Sequence, residues 1–234
     1  MTKLPFLDHL KALRLHLIRI FLLFFAILIF VFYYLEPWIS WLKRPLTQST
    51  SLIAIEVFEV IMTNLKIGFL TTLILVFPYA LFEVWKFLKP GLMPKEIKFV
   101  KNLMISATIL FYIGIVVGFY FLVPVFLDSA LGLAKQYTTV QLTYNNYFNS
   151  IIMLTMIFGL VFETPVILAI LILLEIVSVK TIQKNRRILI VVCFILGAFL
   201  SPPDVVSQIL ISLPLWALIE VSLLFLSRLE KNRK

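Results

Sequence analysis

The sequence predicts an all-α membrane protein with six transmembrane helices, kinked and packed around a concave surface, with both termini in the cytoplasm. Hydrophobic residues make up 62% of the 234 positions and charged residues only 14%, whereas a soluble domain is about 45 to 50% apolar. Polar clusters divide the apolar residues into six runs, and Lys and Arg concentrate in alternate connections. We interpret residues 1–234 as a single polytopic membrane domain, because no soluble domain of ordinary size fits beside the spans.

The six runs define the helices, since a spanning helix needs about 20 apolar residues. In order they are 15–34, 62–88, 103–126, 148–174, 188–200 and 205–226. Pro78, Pro124 and Pro214 lie within runs, and proline kinks or ends a helix because it removes a backbone hydrogen bond. Curved packing is therefore expected instead of a straight bundle.

The orientation follows from the positive charges. Seventeen of the 21 Lys and Arg residues flank the first run, the second turn, the fourth connection and the C-terminal tail; the other four are Lys43, Arg44, Lys66 and Lys135. The positive-inside rule then places both termini in the cytoplasm. Anionic lipid on that face accounts for the net charge of +9 without a nucleic acid partner.

The fifth run is short. Its 13 residues, 188–200, span roughly 20 Å against a hydrocarbon core of about 30 Å. The following "SPPD" stops the helix, and Asp204 is placed to cap the sixth. Either the bilayer thins at this point, or protein or water shelters the polar backbone of the turn, or the helix begins several residues earlier with Arg186 and Arg187 reaching for the surface.

Two external features are also predicted. Trp38 and Trp41 indicate a short segment in the outer headgroup region, which is the depth that tryptophan prefers. The stretch 128–147 is polar and is expected to be an outer loop.

The sequence shows no arrangement typical of a catalyst. Cys193 is the only cysteine, and His9 and His16 are the only histidines, so no metal site is predicted. The chain has neither a phosphate-binding glycine loop nor the spacing of a catalytic triad. We expect no enzymatic activity and no cofactor, so function should rest on shape, buried polar groups and partners.

Glu163 is an acid within an apolar run, "IFGLVFETPVILAILILL". An acid at mid-membrane costs roughly 2.5 to 3.5 kcal/mol, so such residues are rare and face inward. Pro165 should free the carbonyl of Val161, and a protonated Glu163 could donate to it as a purely structural acid. Alternatively, Glu163 lines a polar concave surface that water, a peptide or a partner can reach.

Other polar residues give weaker signals. Glu83 and Glu220 lie five or six residues from their helix ends and are expected to reach solvent. Gln208 lies one turn after Asp204 and could extend a polar patch. Glu96 is the one acid among five lysines around the second turn, where it could simply complement the start of a helix.

Four motifs in register, "VWKFLKPGLMPKE", "FYIG", "FGLVFETPV" and "SPPDVVSQ", make the chain resemble TatC, the large subunit of the twin-arginine protein translocase. The resemblance runs from about residue 6 to residue 229. It implies a receptor for twin-arginine signal peptides that works with the single-span proteins TatB and TatA. Export of folded proteins would be driven by the proton-motive force at the bacterial cytoplasmic membrane, and self-association in a larger complex is expected.

The resemblance assigns roles to individual residues near the N-terminus and the second turn. Glu96 matches the family acid that reads the arginine pair, and Phe87 matches an upstream aromatic. Arg14 matches the family arginine, and Pro45 matches a proline of the first outer loop. The family pattern His-Leu-x-Glu-Leu-Arg reads "HLKALR" here, so Ala12 replaces a glutamate. Asp8, one helical turn earlier, could substitute for it.

The remaining matches lie within the membrane. Glu163 fits the family's buried acid, in a groove facing partners and the inserted peptide. Asp204, Gln208 and Pro45 are predicted to lie where partner helices dock.

Two other functional classes remain open. An ion-coupled secondary transporter would use Glu163 as its carrier, since such proteins place buried acids beside broken helices. The second of these classes is a scaffold subunit that has no ligand of its own.

Overall fold

The structure is a computed structural model that describes residues 6–46, 52–91, 94–135, 141–173, 176–200 and 205–231. Its elements are α1 (Phe6–Tyr33), α2 (Leu35–Leu42), β1 (Leu52–Ile53), α3 (Glu59–Leu88), α4 (Pro94–Val117), α5 (Val123–Lys135), β2 (Leu142–Thr143), α6 (Tyr144–Val161), α7 (Thr164–Leu173), α8 (Val179–Lys184), α9 (Arg186–Leu200) and α10 (Val205–Lys231). The prediction of an all-α fold is confirmed, apart from one pair of two-residue strands.

Four stretches of helix in the described part of the chain are long and apolar enough to cross a bilayer: Leu10–Tyr33, Glu59–Gly91, Ile97–Ser129 and Tyr144–Leu173. They match the first four predicted runs. The apolar part of α10 is shorter, Gln208–Leu224. The fifth and sixth spans therefore stay predictions.

The fifth predicted span is α9. This helix begins at Arg186, two residues before the predicted start, and has 15 residues, or roughly 22 Å of rise. It does not extend further back, because Asn185 ends α8 with its backbone N–H donated to the carbonyls of Ile182 and Thr181. The helix is therefore short, as expected. The prolines of "SPPD" and Asp204 lie outside the described residues.

The chain forms two compact units. The first comprises residues 1–108 and 141–152. Here α1 packs along α3, and Gly68 permits the contact, since a Cβ there would lie 2.8 Å from Cζ of Phe32. The rings of Phe24 and Phe69 meet edge to face at 5.1 Å. Trp38 and Trp41, which were predicted to lie in a short segment, belong to helix α2.

Glu59 ties the start of α3 to neighbouring segments of this unit. Its carboxylate accepts hydrogen bonds from the backbone N–H groups of Ile55 (2.7 Å), Glu56 (3.3 Å) and Asn145 (2.8 Å). Strands β1 and β2 pair in parallel beside it, with Leu52 opposite Leu142. Three backbone donors are thus satisfied by one side chain.

The second unit comprises residues 109–140 and 153–234. Glycines allow helices to approach closely here, as small residues do in membranes. A Cβ on Gly114 would lie 2.5 Å from the carbonyl oxygen of Phe158, and one on Gly159 would lie 2.8 Å from the ring of Phe111. Gly197 of α9 likewise faces Ser212 of α10.

Two boundaries differ from the sequence prediction. A π-helical turn, Gly118–Leu122, joins α4 to α5 just before Pro124, which relieves the clash between a proline ring and the preceding turn. The predicted loop at 128–147 is wrong over its last four residues, because α6 begins at Tyr144. Helix α5 continues to Lys135, so the predicted loop is also wrong over its first eight residues. Their sequence, "DSALGLAK", is rich in the helix formers Ala and Leu.

Candidate functional site

The residues predicted to read a signal peptide lie on α1, α3 and α4. Helix α1 contains Asp8, Ala12 and Arg14, with Arg14 exposed. Glu96 is the third residue of α4, in its first turn. The side chains of Asp8 and Glu96 lie outside the described set, so their predicted roles are untested.

Phe87 stands in the last turn of α3 and contacts α1. Its ring centroid lies 6.1 Å from that of His16, at an interplanar angle of 71°. Edge-to-face contacts in this distance range are favourable. The contact brings the end of α3 that leads to Glu96 against the helix that carries Arg14.

The same part of the α1–α3 contact contains a buried ionic cluster around Glu83. The Glu83 side chain is only 1% exposed. Its Oε2 lies 2.5 Å from Nδ1 of His16 and 3.7 Å from Arg19 Nη1, while its Oε1 accepts a hydrogen bond from Lys86 at 3.3 Å. The expectation that Glu83 reaches solvent is wrong. Its side of α3 faces α1, and the positive groups there compensate the carboxylate.

Glu220 is also paired. Its Oε2 lies 3.3 Å from Nη2 of Arg186, and its side chain is 20% exposed. This salt bridge links α10 to the first residue of α9. Glu220 was expected to be solvated, but it is partly buried and paired with the arginine that begins the short helix.

Glu163 occupies a break between two helices. Helix α6 ends at Val161 and α7 begins at Thr164. The carbonyl of Glu163 accepts the backbone N–H groups of Val166 (2.9 Å) and Ile167 (3.0 Å). The predicted kink is thus a break in the helix, caused by Pro165, which has no N–H to donate to Val161.

The carbonyl that Pro165 frees has another partner. The hydroxyl of Thr164 donates to the carbonyl oxygen of Val161 at 2.6 Å. Glu163 was one possible donor to this carbonyl, and the structure gives that role to its neighbour. Glu163 is 8% exposed, and its Oε1 is buried without a hydrogen-bond partner among the described residues. One carboxyl oxygen of this acid is thus left unsatisfied by the part of the chain that the structure describes.

Gln208 stands near the start of α10 and contacts α9. Its Nε2 donates to the carbonyl oxygen of Phe194 at 3.0 Å. Together with Phe194, Ile195 and other α9 residues it lines a shallow, mostly apolar cavity of about 340 Å³. Among the described residues, the predicted polar patch therefore consists of one amide group beside an apolar surface.

Pro45 lies in a turn after α2 and is half-buried. Just before this turn, the carbonyl oxygen of Leu42 accepts a hydrogen bond from the hydroxyl of the buried Tyr147 at 3.0 Å. The segment that carries Pro45 is thereby held against the start of α6, within the first unit.

The chain matches the family model described as Sec-independent protein translocase protein (TatC) over residues 8–214. It belongs to the TatC family. A TatC protein of Carboxydothermus hydrogenoformans is 35% identical over 229 residues, covering 97% of this chain and 94% of the relative. The TatC of Escherichia coli K12 is 30% identical over 225 residues, covering 94% of this chain and 87% of the relative.

Solved structures agree with the sequence comparison. The crystal structure of a twin-arginine translocase receptor, TatC, in the detergent DDM matches with a TM-score of 0.81 at 28% identity, covering 93% of this chain and 98% of the other. Apolar helices together with bacterial TatC relatives indicate a multi-span protein of the bacterial inner membrane.

Sequence reasoning missed the partners of Glu83 and the donor at the helix break. His16 and Arg19 are three positions apart in the sequence, which places both on one face of a helix. Two basic side chains on one face of an apolar helix are a signal that an acid lies opposite them on a neighbouring helix. Thr164 directly before Pro165 was a second available signal, because a hydroxyl there can reach a freed carbonyl.

Proposed function

We propose that this TatC chain is the signal-peptide receptor and core scaffold of a twin-arginine translocase. In this proposal it spans the membrane six times with both termini in the cytoplasm. It binds the paired arginines of a signal peptide at the α3–α4 turn. The observation that supports the proposal most is the match, over nearly the whole chain, to a solved twin-arginine translocase receptor.

Glu96 is the proposed arginine ligand. A guanidinium and a carboxylate form two parallel hydrogen bonds, a geometry that the single ammonium of lysine cannot reproduce. The contact of Phe87 with His16 supports this assignment, because it holds the helix that leads to the turn against α1. Arg14 and Asp8 of α1 are then available to complete the site, with Asp8 replacing the glutamate absent at Ala12.

The apolar part of the signal peptide is proposed to reach Glu163. The unpartnered Oε1 of this buried acid supports the idea, since an incoming polypeptide can supply the missing hydrogen bond. TatB and TatA are the proposed single-span partners, docking near Asp204, Gln208 and Pro45. The chain is proposed to assemble in a larger complex. The proton-motive force then drives the movement of folded cargo across the membrane.

The test is photo-crosslinking of a twin-arginine peptide to the chain in detergent, with a photoreactive residue placed at Phe87. We expect crosslinking that falls sharply when the peptide carries two lysines. Glu96→Gln should weaken peptide binding by roughly 10- to 100-fold, the range expected for a charged hydrogen bond of about 1.5 to 3 kcal/mol. Glu56→Gln is the matched control, because Glu56 is exposed and lies outside the proposed site.

Two results would count against the proposal. Equal crosslinking of the arginine and lysine peptides would remove Glu96 as a guanidinium reader. Proton-coupled solute flux by the isolated chain in vesicles, abolished by Glu163→Gln, would instead favour an ion-coupled transporter.

A further inference from the structure

A cleft lies between α3 and α4. It measures about 310 Å³, within the usual range of small-molecule sites. Its inner wall is apolar, formed by Pro78 and Leu81 of α3 with Met104 and Ile105 of α4. These helices lie in two of the stretches long and apolar enough to cross a membrane, so lipid is the expected surrounding of the cleft.

The end of the cleft nearest the α3–α4 turn is aromatic and positively charged. The rings of Phe82 and Trp85 stack at 6.0 Å and both line the cleft, with Lys101 on the opposite helix. The ammonium of Lys89 lies 5.3 Å from the centre of the Trp85 ring, and that of Lys86 lies 4.3 Å from the Phe82 ring. Cation–π contact of this kind positions a lysine while leaving N–H donors available.

The polar groups at this end of the cleft, its rim, are largely without partners among the described residues. Lys86 is engaged by Glu83, but Lys89 and Lys101 have no ion pair among the described residues. The indole N–H of Trp85 is buried and also has no partner there. Among the described residues, those that line the cleft include no carboxylate. Trp85 and Lys101 line the cleft and Lys89 lies beside Trp85, so three donors, two of them charged, lie in or next to this end of the cleft.

We propose that this cleft binds an anionic phospholipid, with an acyl chain between α3 and α4 and the phosphate held by Lys89, Lys101 and the Trp85 indole. A basic pocket between membrane helices recognises lipid phosphate by charge, and the apolar wall accepts the chain. A zwitterionic lipid presents the same tail but no net charge to the lysines, so the cleft selects for a negative headgroup.

The charge of the rim argues against the twin-arginine peptide as the occupant, since its arginines would meet two lysines. The geometry of α3 agrees. Trp85 and Phe87 are two residues apart, which points their side chains about 160° apart around a helix. Phe87 contacts His16 of α1, whereas Trp85 lines the cleft between α3 and α4, so these two side chains lie on opposite sides of α3.

Fluorescence quenching tests the proposal. Trp38, Trp41 and Trp216 are replaced by Phe, leaving Trp85 as the sole tryptophan, and the full chain is reconstituted in phosphatidylcholine vesicles. Brominated phosphatidylglycerol, added at a low mole fraction, should quench Trp85 several-fold more strongly than brominated phosphatidylcholine at the same fraction. If the triple variant does not insert, the difference between the unaltered chain and Trp85→Phe gives the same comparison.

Charge variants separate a site from general attraction. Lys89→Gln with Lys101→Gln should reduce quenching by phosphatidylglycerol to the phosphatidylcholine level. The control, Lys180→Gln with Lys184→Gln, removes the same charge from the exposed face of α8 and should change nothing. Equal quenching by the two lipids, an equal loss in both lysine pairs, or displacement of the lipid by a twin-arginine peptide would each overturn the proposal.

Discussion

The imidazole Nδ1 of His16 lies 2.5 Å from Oε2 of Glu83, which is almost completely buried on the opposing helix. Arg19, one turn further along α1, stands 3.7 Å from the same oxygen. The contact joins residues 67 positions apart and fixes the register of α1 against α3. It lies beside Phe87, so the integrity of this cluster bears directly on the proposed peptide site.

Replacing Glu83 by Ala should destabilise the chain by about 1 to 3 kcal/mol, because the mostly buried His16 loses its hydrogen-bond partner. The measurement is thermal unfolding of the purified chain in detergent. Glu36→Ala is the matched control, since Glu36 is exposed on α2, and it should change the midpoint little.

A double-mutant cycle checks that the loss comes from the pair. Glu83→Gln combined with His16→Gln should cost less than the sum of the two single changes, because the neutral side chains can hydrogen-bond each other. Strict additivity of the two costs would contradict a direct coupling.

The Glu83 cluster also shows where sequence reasoning stops. Distance from a helix end suggested solvent for this acid, and only the packing of α1 on α3 reveals that His16 and Arg19 approach it. By contrast, the helix break at Glu163 was readable, because Pro165 forces it locally. The extension of α5 to Lys135 was missed since polar residues such as Asp128 are compatible with either a loop or an exposed helix face. The pairing of Glu59 with Asn145 depends on contacts 86 positions apart.

Glu59→Gln should loosen the region where β1, β2 and the start of α6 meet. The amide keeps the shape of the side chain but presents an N–H₂ group to backbone donors, so at least one of three hydrogen bonds is lost. Hydrogen–deuterium exchange should show faster exchange at the backbone amide of either Ile55 or Asn145, whichever loses its oxygen acceptor, since the two donate to different oxygens of Glu59. Glu56→Gln serves as the control, and unchanged protection of both amides in Glu59→Gln would contradict the assignment.

Gly114→Ala should destabilise the second unit by about 1 to 3 kcal/mol, the cost of overpacking a well-filled contact. The new methyl group would meet the backbone carbonyl of Phe158, which cannot move as a flexible side chain can. The measurement is again thermal unfolding in detergent.

Gly132→Ala provides the opposite case within the same unit. This position in α5 has open space around its missing Cβ, and alanine is favoured over glycine in a helix by about 0.5 to 1 kcal/mol. We therefore expect neutral or raised stability. Equal destabilisation by the two substitutions would show that helix packing at Gly114 is not the cause.

The break at Glu163 gives the last prediction. Thr164→Val removes the hydroxyl that donates to the carbonyl of Val161, leaving that buried acceptor unsatisfied. The expected cost is about 1 to 3 kcal/mol of stability. Adding Pro165→Ala should recover much of it, since an alanine N–H at position 165 can donate to the same carbonyl and rebuild the helical hydrogen bond.

Rescue of stability should come with altered function, because a continuous helix changes the direction in which Glu163 points. We expect the Thr164→Val, Pro165→Ala double variant to unfold at nearly the original temperature. For the crosslinking measurement a photoreactive residue is placed at Leu160, which is exposed one turn before the break. The double variant should lose the crosslink between this residue and the apolar part of a signal peptide. Pro165→Ala alone is the companion variant, and it should show the same loss with Thr164 intact. Full crosslinking in both proline variants would mean that the break has no part in presenting Glu163 to the peptide.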